Sequence, residues 1–182
     1  MLHLKNITKA NPQTAEQYEL TKKAGVVWLY TEDGANWYEE KSNFQPDTLK
    51  IAYETETGRV LWIGKDVDGL NPFMMSVIEV ADVTVNRRIT APGYWFFRND
   101  EFVFDYKLKA EDECDALLKQ VSIMTSEWEK DLLLGLISEE DREKLKAYRI
   151  YAKLLQAMDF SNITDKTSYN AIEWPVSPEA SS

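Results

Sequence analysis

Apolar residues come in short runs, split by turn formers, from the start of the chain to about Lys109. Alternation and β-branched or aromatic content predict strands over Gly25 to Tyr30, Leu49 to Tyr53, Arg59 to Ile63, Val77 to Val85, Tyr94 to Phe97 and Phe102 to Tyr106. Two connections read as hairpin loops: Glu54 to Gly58, where Gly58 can take the positive φ of a bulged turn, and Arg98 to Glu101. His3 lies in another strand-like run. One early helix is predicted over Pro12 to Lys23, with Asn11 as cap and Pro12 at the first helical position.

Beyond Lys109 the period lengthens. Leu117, Val121, Met124 and Trp128 recur at steps of 4, 3 and 4, which predicts a helix from about Ala110 to Leu134 whose first turns carry Glu111, Asp112, Glu113 and Asp115. Gly135 stops it, and Ser138 with Asp141 resembles a capping box that opens a second helix. Leu145, Tyr148, Ala152 and Leu155 form the stripe of that second helix. Two amphipathic helices joined by so short a turn make an antiparallel hairpin. From Asp159 the pattern dissolves into Ser, Asn, Thr and Asp, and Pro175 and Pro178 then force an extended arm around Trp174. That arm lies either on its own domain or on another chain. The chain is therefore α+β, with a β-rich module over residues 1–107 and a helical hairpin with C-terminal arm over 108–182.

Charge sharpens this division. The chain carries 21 Lys and Arg against 31 Asp and Glu, a net charge of −10, so a polyanion gains little from binding it and nucleic acid is excluded as a general partner. Only 13 basic and 16 acidic residues lie up to Lys109, against 8 and 15 after it, so the helical part is the more acidic. No apolar run approaches the roughly 20 residues that span a bilayer, and the start lacks a signal-peptide core. The single cysteine, Cys114, rules out an intramolecular disulfide, and a reducing cytoplasm is expected.

Catalytic chemistry finds little support. His3 is the only histidine and sits near the terminus, where a solvent-facing role outweighs a catalytic one. Cys114 has no evident partner and reads as a half-buried structural thiol. Asp66-Val67-Asp68-Gly69 begins like a calcium loop, but Asn71 and Val77 stand where such a loop needs Gly and Glu, so a turn explains it. No phosphate-binding glycine loop occurs, and no pair of acids is singled out for glycoside hydrolysis. No enzyme activity, cofactor or metal is expected. The run Tyr94-Trp95-Phe96-Phe97 alternates large rings across a strand, giving either core on both faces or an aromatic edge offered to a partner.

The segment Leu145-Lys146-Ala147-Tyr148-Arg149, continuing to Leu154 and Asp159, then a polar spacer and Ile172-Glu173-Trp174-Pro175 with Pro178 beyond, resembles the C-terminal signature of caudoviral tail fibre assembly proteins. The likeness covers about the last 40 to 75 residues. It implies a chaperone of a phage tail fibre, acting without nucleotide in the infected host's cytoplasm or retained on the virion. Such a protein binds the C-terminal part of the fibre and promotes its folding and trimerisation. Fibre tips are intertwined β trimers, so a lone subunit exposes strand edges and apolar faces that invite aggregation. Self-association of the helical module would raise the effective concentration of captured subunits.

On this reading Trp62, Trp95, Phe97 and Phe102 are the candidates for fibre contact. The two stripes and the arm assign self-association into a homo-oligomer to Val121, Trp128, Tyr148, Leu155 and Trp174. Two rival classes stay open: a structural fibre-tip subunit that binds host glycan, and a hydrolase with paired acids.

Overall fold

The computed structural model describes residues 1–181, and the chain divides into two compact units, the first running from Met1 to Phe104 and the second starting at Asp105. The first unit is built on an antiparallel sheet of five strands: β1 (His3–Ala10), β2 (Trp28–Tyr30), β3 (Thr48–Glu54), β4 (Val60–Gly64) and β5 (Met75–Ala81), in the spatial order β2-β1-β5-β3-β4. A separate hairpin pairs β6 (Trp95–Arg98) with β7 (Glu101–Phe104). Its two-residue loop puts Asn99 and Asp100 at φ 52° and 63°, the double left-handed turn whose twist matches the strands it joins.

Side chains from the central strands β3 and β5 feed two cores. On one face Ala52 and Val77 join Leu4, Ile7, Leu29, Trp37 and Phe44. On the other Ile51 and Tyr53 join Val60 and Ile89, with Ile78 packed against them. Burial on both faces explains why β3 reads as a nearly unbroken apolar run. The interruption is Lys50, only 1% exposed, which lies opposite the buried Glu79 in the β3–β5 register. The Lys50 ammonium donates to the carbonyls of Gln45 and Thr48. The Glu79 carboxylate accepts from the N–H groups of Leu2 (3.1 Å) and Gln45 (2.6 Å) and from the Thr48 hydroxyl (2.7 Å). Burial alone would raise this carboxyl, but those hydrogen bonds and the Lys50 charge hold it below the ordinary carboxylate value.

Several boundaries differ from the sequence expectation. The early helix, α1, spans Ala15–Ala24 rather than starting at Pro12, because Thr14 and Gln17 make the cap. The Thr14 hydroxyl accepts from Gln17 N–H, and the Gln17 side chain accepts from Gln13 N–H at 2.7 Å. β5 stops at Ala81, where Asn86 reaches back to bond the Ala81 carbonyl at 2.8 Å and closes a turn over 81–86. A short helix, α2 (Trp37–Glu40), was not foreseen; Asn36 caps it and Trp37 is buried. Asp66-Val67-Asp68-Gly69 contains a turn in which the Asp66 carboxylate accepts from Asp68 N–H at 2.9 Å.

In the second unit α3 (Tyr106–Leu134) and α4 (Glu139–Gln156) form the hairpin. α3 begins four residues earlier than its charge pattern suggested, because the Asp105 carboxylate accepts from Leu108 N–H and caps it. Gly135, at φ 72°, ends α3, and Ser138 caps α4 by accepting from Asp141 N–H at 3.1 Å. The polar spacer is not patternless: Asp165 and Ser168 make a reciprocal capping box that opens α5 (Lys166–Asn170). The arm then runs without regular secondary structure to a 3₁₀ turn at Pro178–Ser181. It lies on its own unit, where the Trp174 and Phe160 rings stand 5.7 Å apart.

Candidate functional site

The four fibre-contact candidates lie on two faces of the first unit. Trp62 is half-buried and pairs across β3–β4 with Ala52, so it packs on the core that holds Trp37 and Phe44. Trp95, Phe97 and Phe102 gather on the opposite core with Tyr53 and Ile89. Phe97 is the hub of this aromatic group, 4.8 Å from Tyr53, 5.0 Å from Phe102 and 5.6 Å from His3, while Trp95 meets Phe104 edge-on at 5.4 Å. Along Tyr94 to Phe97 the rings do not alternate between buried and exposed: Phe96 is buried and the other three are half-buried.

Backbone contacts hold the aromatic hairpin. Phe97 N–H donates to the Gly58 carbonyl at 2.7 Å, and Arg59 bridges Phe96. Gly58 has φ +78°, and a Cβ there would run into the Phe97 carbonyl, so glycine is needed for the turn and for the close approach. His3 belongs to this cluster, its ring Nε2 lying 2.7 Å from the Tyr53 hydroxyl. Burial and then Lys5 push the imidazole below its ordinary 6.5, and burial pushes the Tyr53 phenol up. His3 is thus half-buried against Tyr53 and Phe97 rather than free in solvent. The sequence reading missed His3 and Tyr53 as members, since the β1–β5 and β3–β5 pairings bring residues 3 and 53 together and the Gly58–Phe97 bond and Arg59–Phe96 bridge add residue 97.

The five self-association candidates also come together, inside one chain. Val121, Tyr148 and Leu155 are buried in the α3–α4 seam, Trp128 stacks 5.9 Å from Tyr148, and Trp174 covers Phe160. Burial, and then Glu179, push the Tyr148 phenol above its ordinary value. Cys114 is buried, its thiol 3.4 Å from the Leu155 carbonyl and pushed up by burial and by Asp115, which makes it a poor nucleophile. Tyr169 ties α5 to α3, donating to Glu113 at 2.6 Å beneath the Lys109 ammonium.

Apolar surface is left over elsewhere on this unit. Leu133, Leu134 and Leu136 at the hairpin tip are 87%, 71% and 72% exposed, and Ile150 on α4 is exposed too. The run Leu132-Leu133-Leu134 is legible in the sequence, but its place at an exposed hairpin tip is not. Among the described residues no helix is long and apolar enough to cross a membrane, and no group of three or more His, Cys, Asp or Glu is placed to hold a metal ion.

Residues 39–179 match the family described as Caudovirales tail fibre assembly protein, lambda gpK. The chain is similar to tail fiber assembly protein U′ of Escherichia phage Mu, 44% identical over 169 residues that cover 90% of this chain and 95% of the relative. It is 39% identical over 185 residues both to tail fiber assembly protein U of phage Mu and to a probable tail fiber assembly protein of Escherichia phage P2, covering 98% of this chain and 100% of each relative. With matches that run through both units, the chain belongs to the phage tail fibre assembly protein family.

Proposed function

We propose that this protein binds the distal, C-terminal part of a phage tail fibre protein and promotes its folding and trimerisation without nucleotide, in the cytoplasm of the infected host. The observation that carries the reading is likeness over almost the whole chain to relatives named for tail fibre assembly. A division of labour is consistent with the two compact units, which meet between Phe104 and Asp105 a few residues before the expected boundary at 107 and 108, a position that falls inside α3. Residues 1–107 would hold the fibre end through Trp62, Trp95, Phe97 and Phe102, whose partly exposed rings offer contact area at low rotamer cost. Residues 108–182 would bring captured subunits together, with Val121, Trp128, Tyr148, Leu155 and Trp174 acting through the hairpin that they hold shut.

The test is to express the C-terminal fragment of the neighbouring fibre with and without this protein, then size the soluble fraction and run an unboiled gel. Soluble, detergent-resistant fibre trimers are expected only with the protein present. A fibre that folds equally well alone overturns assistance, and a structural subunit that stays on the virion and binds host lipopolysaccharide then becomes the leading account.

A further inference from the structure

We infer that one face of the helical hairpin is a twofold docking surface for a second copy of this chain, built from two grooves of opposite charge. This rests on the reading that the helical unit self-associates and names the surface that does it.

Measured from Val121 on α3 and Tyr148 on α4, positions 111, 115 and 118 and positions 142, 145 and 149 all turn about 60–120° in the same sense at 3.6 residues per turn. In an antiparallel pair, equal turns from the seam lead to the same face. Near the open end of the hairpin that face holds a groove of about 510 Å³, with Glu111, Asp112 and Asp115 around Leu118, Leu155 and Met158. Near the tip it holds a second groove of about 480 Å³, with Arg142, Lys146 and Arg149 around Leu132, Leu145 and Ile150. The two are separated by the 17 residues from Asp115 to Leu132, about 25 Å along α3.

These charges are incompletely spent within the chain. Arg142 pairs with Glu139 at 2.9 Å, Lys146 with Glu143 at 2.6 Å and Glu111 with Lys107 at 3.6 Å. Asp112, Asp115 and Arg149 make no ion pair among the described residues, and the shielded Nε of Arg142 has no acceptor there. A buried donor without an acceptor is costly, and an incoming carboxylate relieves that cost.

A twofold axis lying in this face and running across the helices exchanges its ends, so the acidic groove of each copy meets the basic groove of the other and every contact occurs twice. The arrangement is self-complementary only with the ends exchanged; tip on tip would set the unpaired Arg149 of one copy against that of the other, and open end on open end would set Asp112 and Asp115 against their copies, which electrostatics opposes. The seam residues stay buried in each copy, so association needs no opening of the hairpin. Exposed Ile150 and half-buried Met158 gain cover in the process.

The full chain is examined by sedimentation equilibrium with two double variants, Asp112→Lys with Asp115→Lys, and Lys146→Asp with Arg149→Asp. The unmodified chain is expected to dimerise, more weakly as salt is raised. Each variant alone should weaken the dimer by about tenfold or more, and an equimolar mixture of the two should restore it, because like-charged grooves become complementary only in the mixed pair. A monomeric parent chain, variants of unchanged mass, or a mixture that stays monomeric would each overturn the proposal. Circular dichroism checks that the helices persist. Should a double variant lose helix, Arg149→Gln and Ile150→Ser, both on exposed positions, replace it and must still weaken the dimer. Fibre assembly is scored separately with the unmodified chain: fibre trimers made by a strictly monomeric chain overturn the twofold surface alone, whereas dimers that yield no fibre trimers overturn the assembly reading alone.

Discussion

The two units solve the same packing problem with contacts of different range. In the first, His3 pairs with Ile78 and Thr48 with Ala81, so the sheet is closed by residues far apart in sequence and its two central strands are buried on both faces. In the second, α3 folds directly onto α4 through a four-residue connection, and the 29-residue helix leaves leucines in solvent at the tip. The long-range unit also leaves apolar side chains in solvent, Tyr18, Met74 and Val85 among them, but none of them stands in a run like Leu132-Leu133-Leu134, and the rings of its aromatic hairpin are half sheltered. The local unit folds with fewer long-range constraints and leaves Leu132, Leu133, Leu134 and Leu136 exposed together at the hairpin tip.

Matched substitutions test this contrast. The largest effects belong to the buried seams: Ile51→Ala in the first unit and Leu155→Ala in the second should each cost about 2–5 kcal/mol, read from urea unfolding followed by circular dichroism and by tryptophan fluorescence. If the units unfold independently, the Leu155 change depresses the helical transition and leaves the other in place. Next come two glycines of nearly equal φ in different surroundings. Gly135→Ala meets open space at φ +72° and should cost about 1–2 kcal/mol for the left-handed backbone alone. Gly58→Ala adds a collision with the Phe97 carbonyl and should cost more, with loss of the near-ultraviolet signal from the Phe97 cluster. Equal costs would show that the close approach of β6 contributes nothing.

Acid should separate the units as well. The Glu79 carboxyl is held below its ordinary 4.5, so the stability it adds is present above that value and is lost as pH falls through its lower folded value. His3, held below 6.5, works in the same direction: the unfolded chain takes up its proton first, so stability declines as pH drops below 6.5. The first unit should therefore lose stability between pH 6.5 and the acid range more steeply in the native chain than in Glu79→Gln measured against its own neutral-pH value. The smallest effect on folding belongs to the tip: Leu133→Ser should shift stability by less than about 0.5 kcal/mol. A larger loss would mean that the tip leucines support the hairpin.

What could be read from the sequence follows the same divide. Leu145, Tyr148, Ala152 and Leu155 declare a seam through spacing alone, and Ser138 with Asp141 marks the start of α4 within a residue. The strands were legible as runs, yet nothing in the run around His3 says that it lies between β2 and β5, because pairing is set by the whole sheet. Lys50 and Glu79 look like surface charges until β3 and β5 are placed side by side. α1 and α3 were misplaced by a few residues because Thr14 and Asp105 cap through side-chain bonds that charge counting overlooks. The fibre candidates were legible as large rings, but alternation could not reveal that Trp62 turns to one core and Phe97 to the other.

The position of β1 inside the sheet has a consequence for synthesis on the ribosome. Residues 3 to 7 pair with residues 75 to 78, so the first strand to emerge waits for some 70 further residues before its inner neighbour exists. At translation speeds of about 5–20 residues per second, that is several seconds during which Leu4 and Ile7 have no sheet to join. The helical hairpin, whose partners leave the ribosome almost together, has no such delay. A protein proposed to shelter another chain's unfinished strands must first bring its own opening strand through an interval of the same kind.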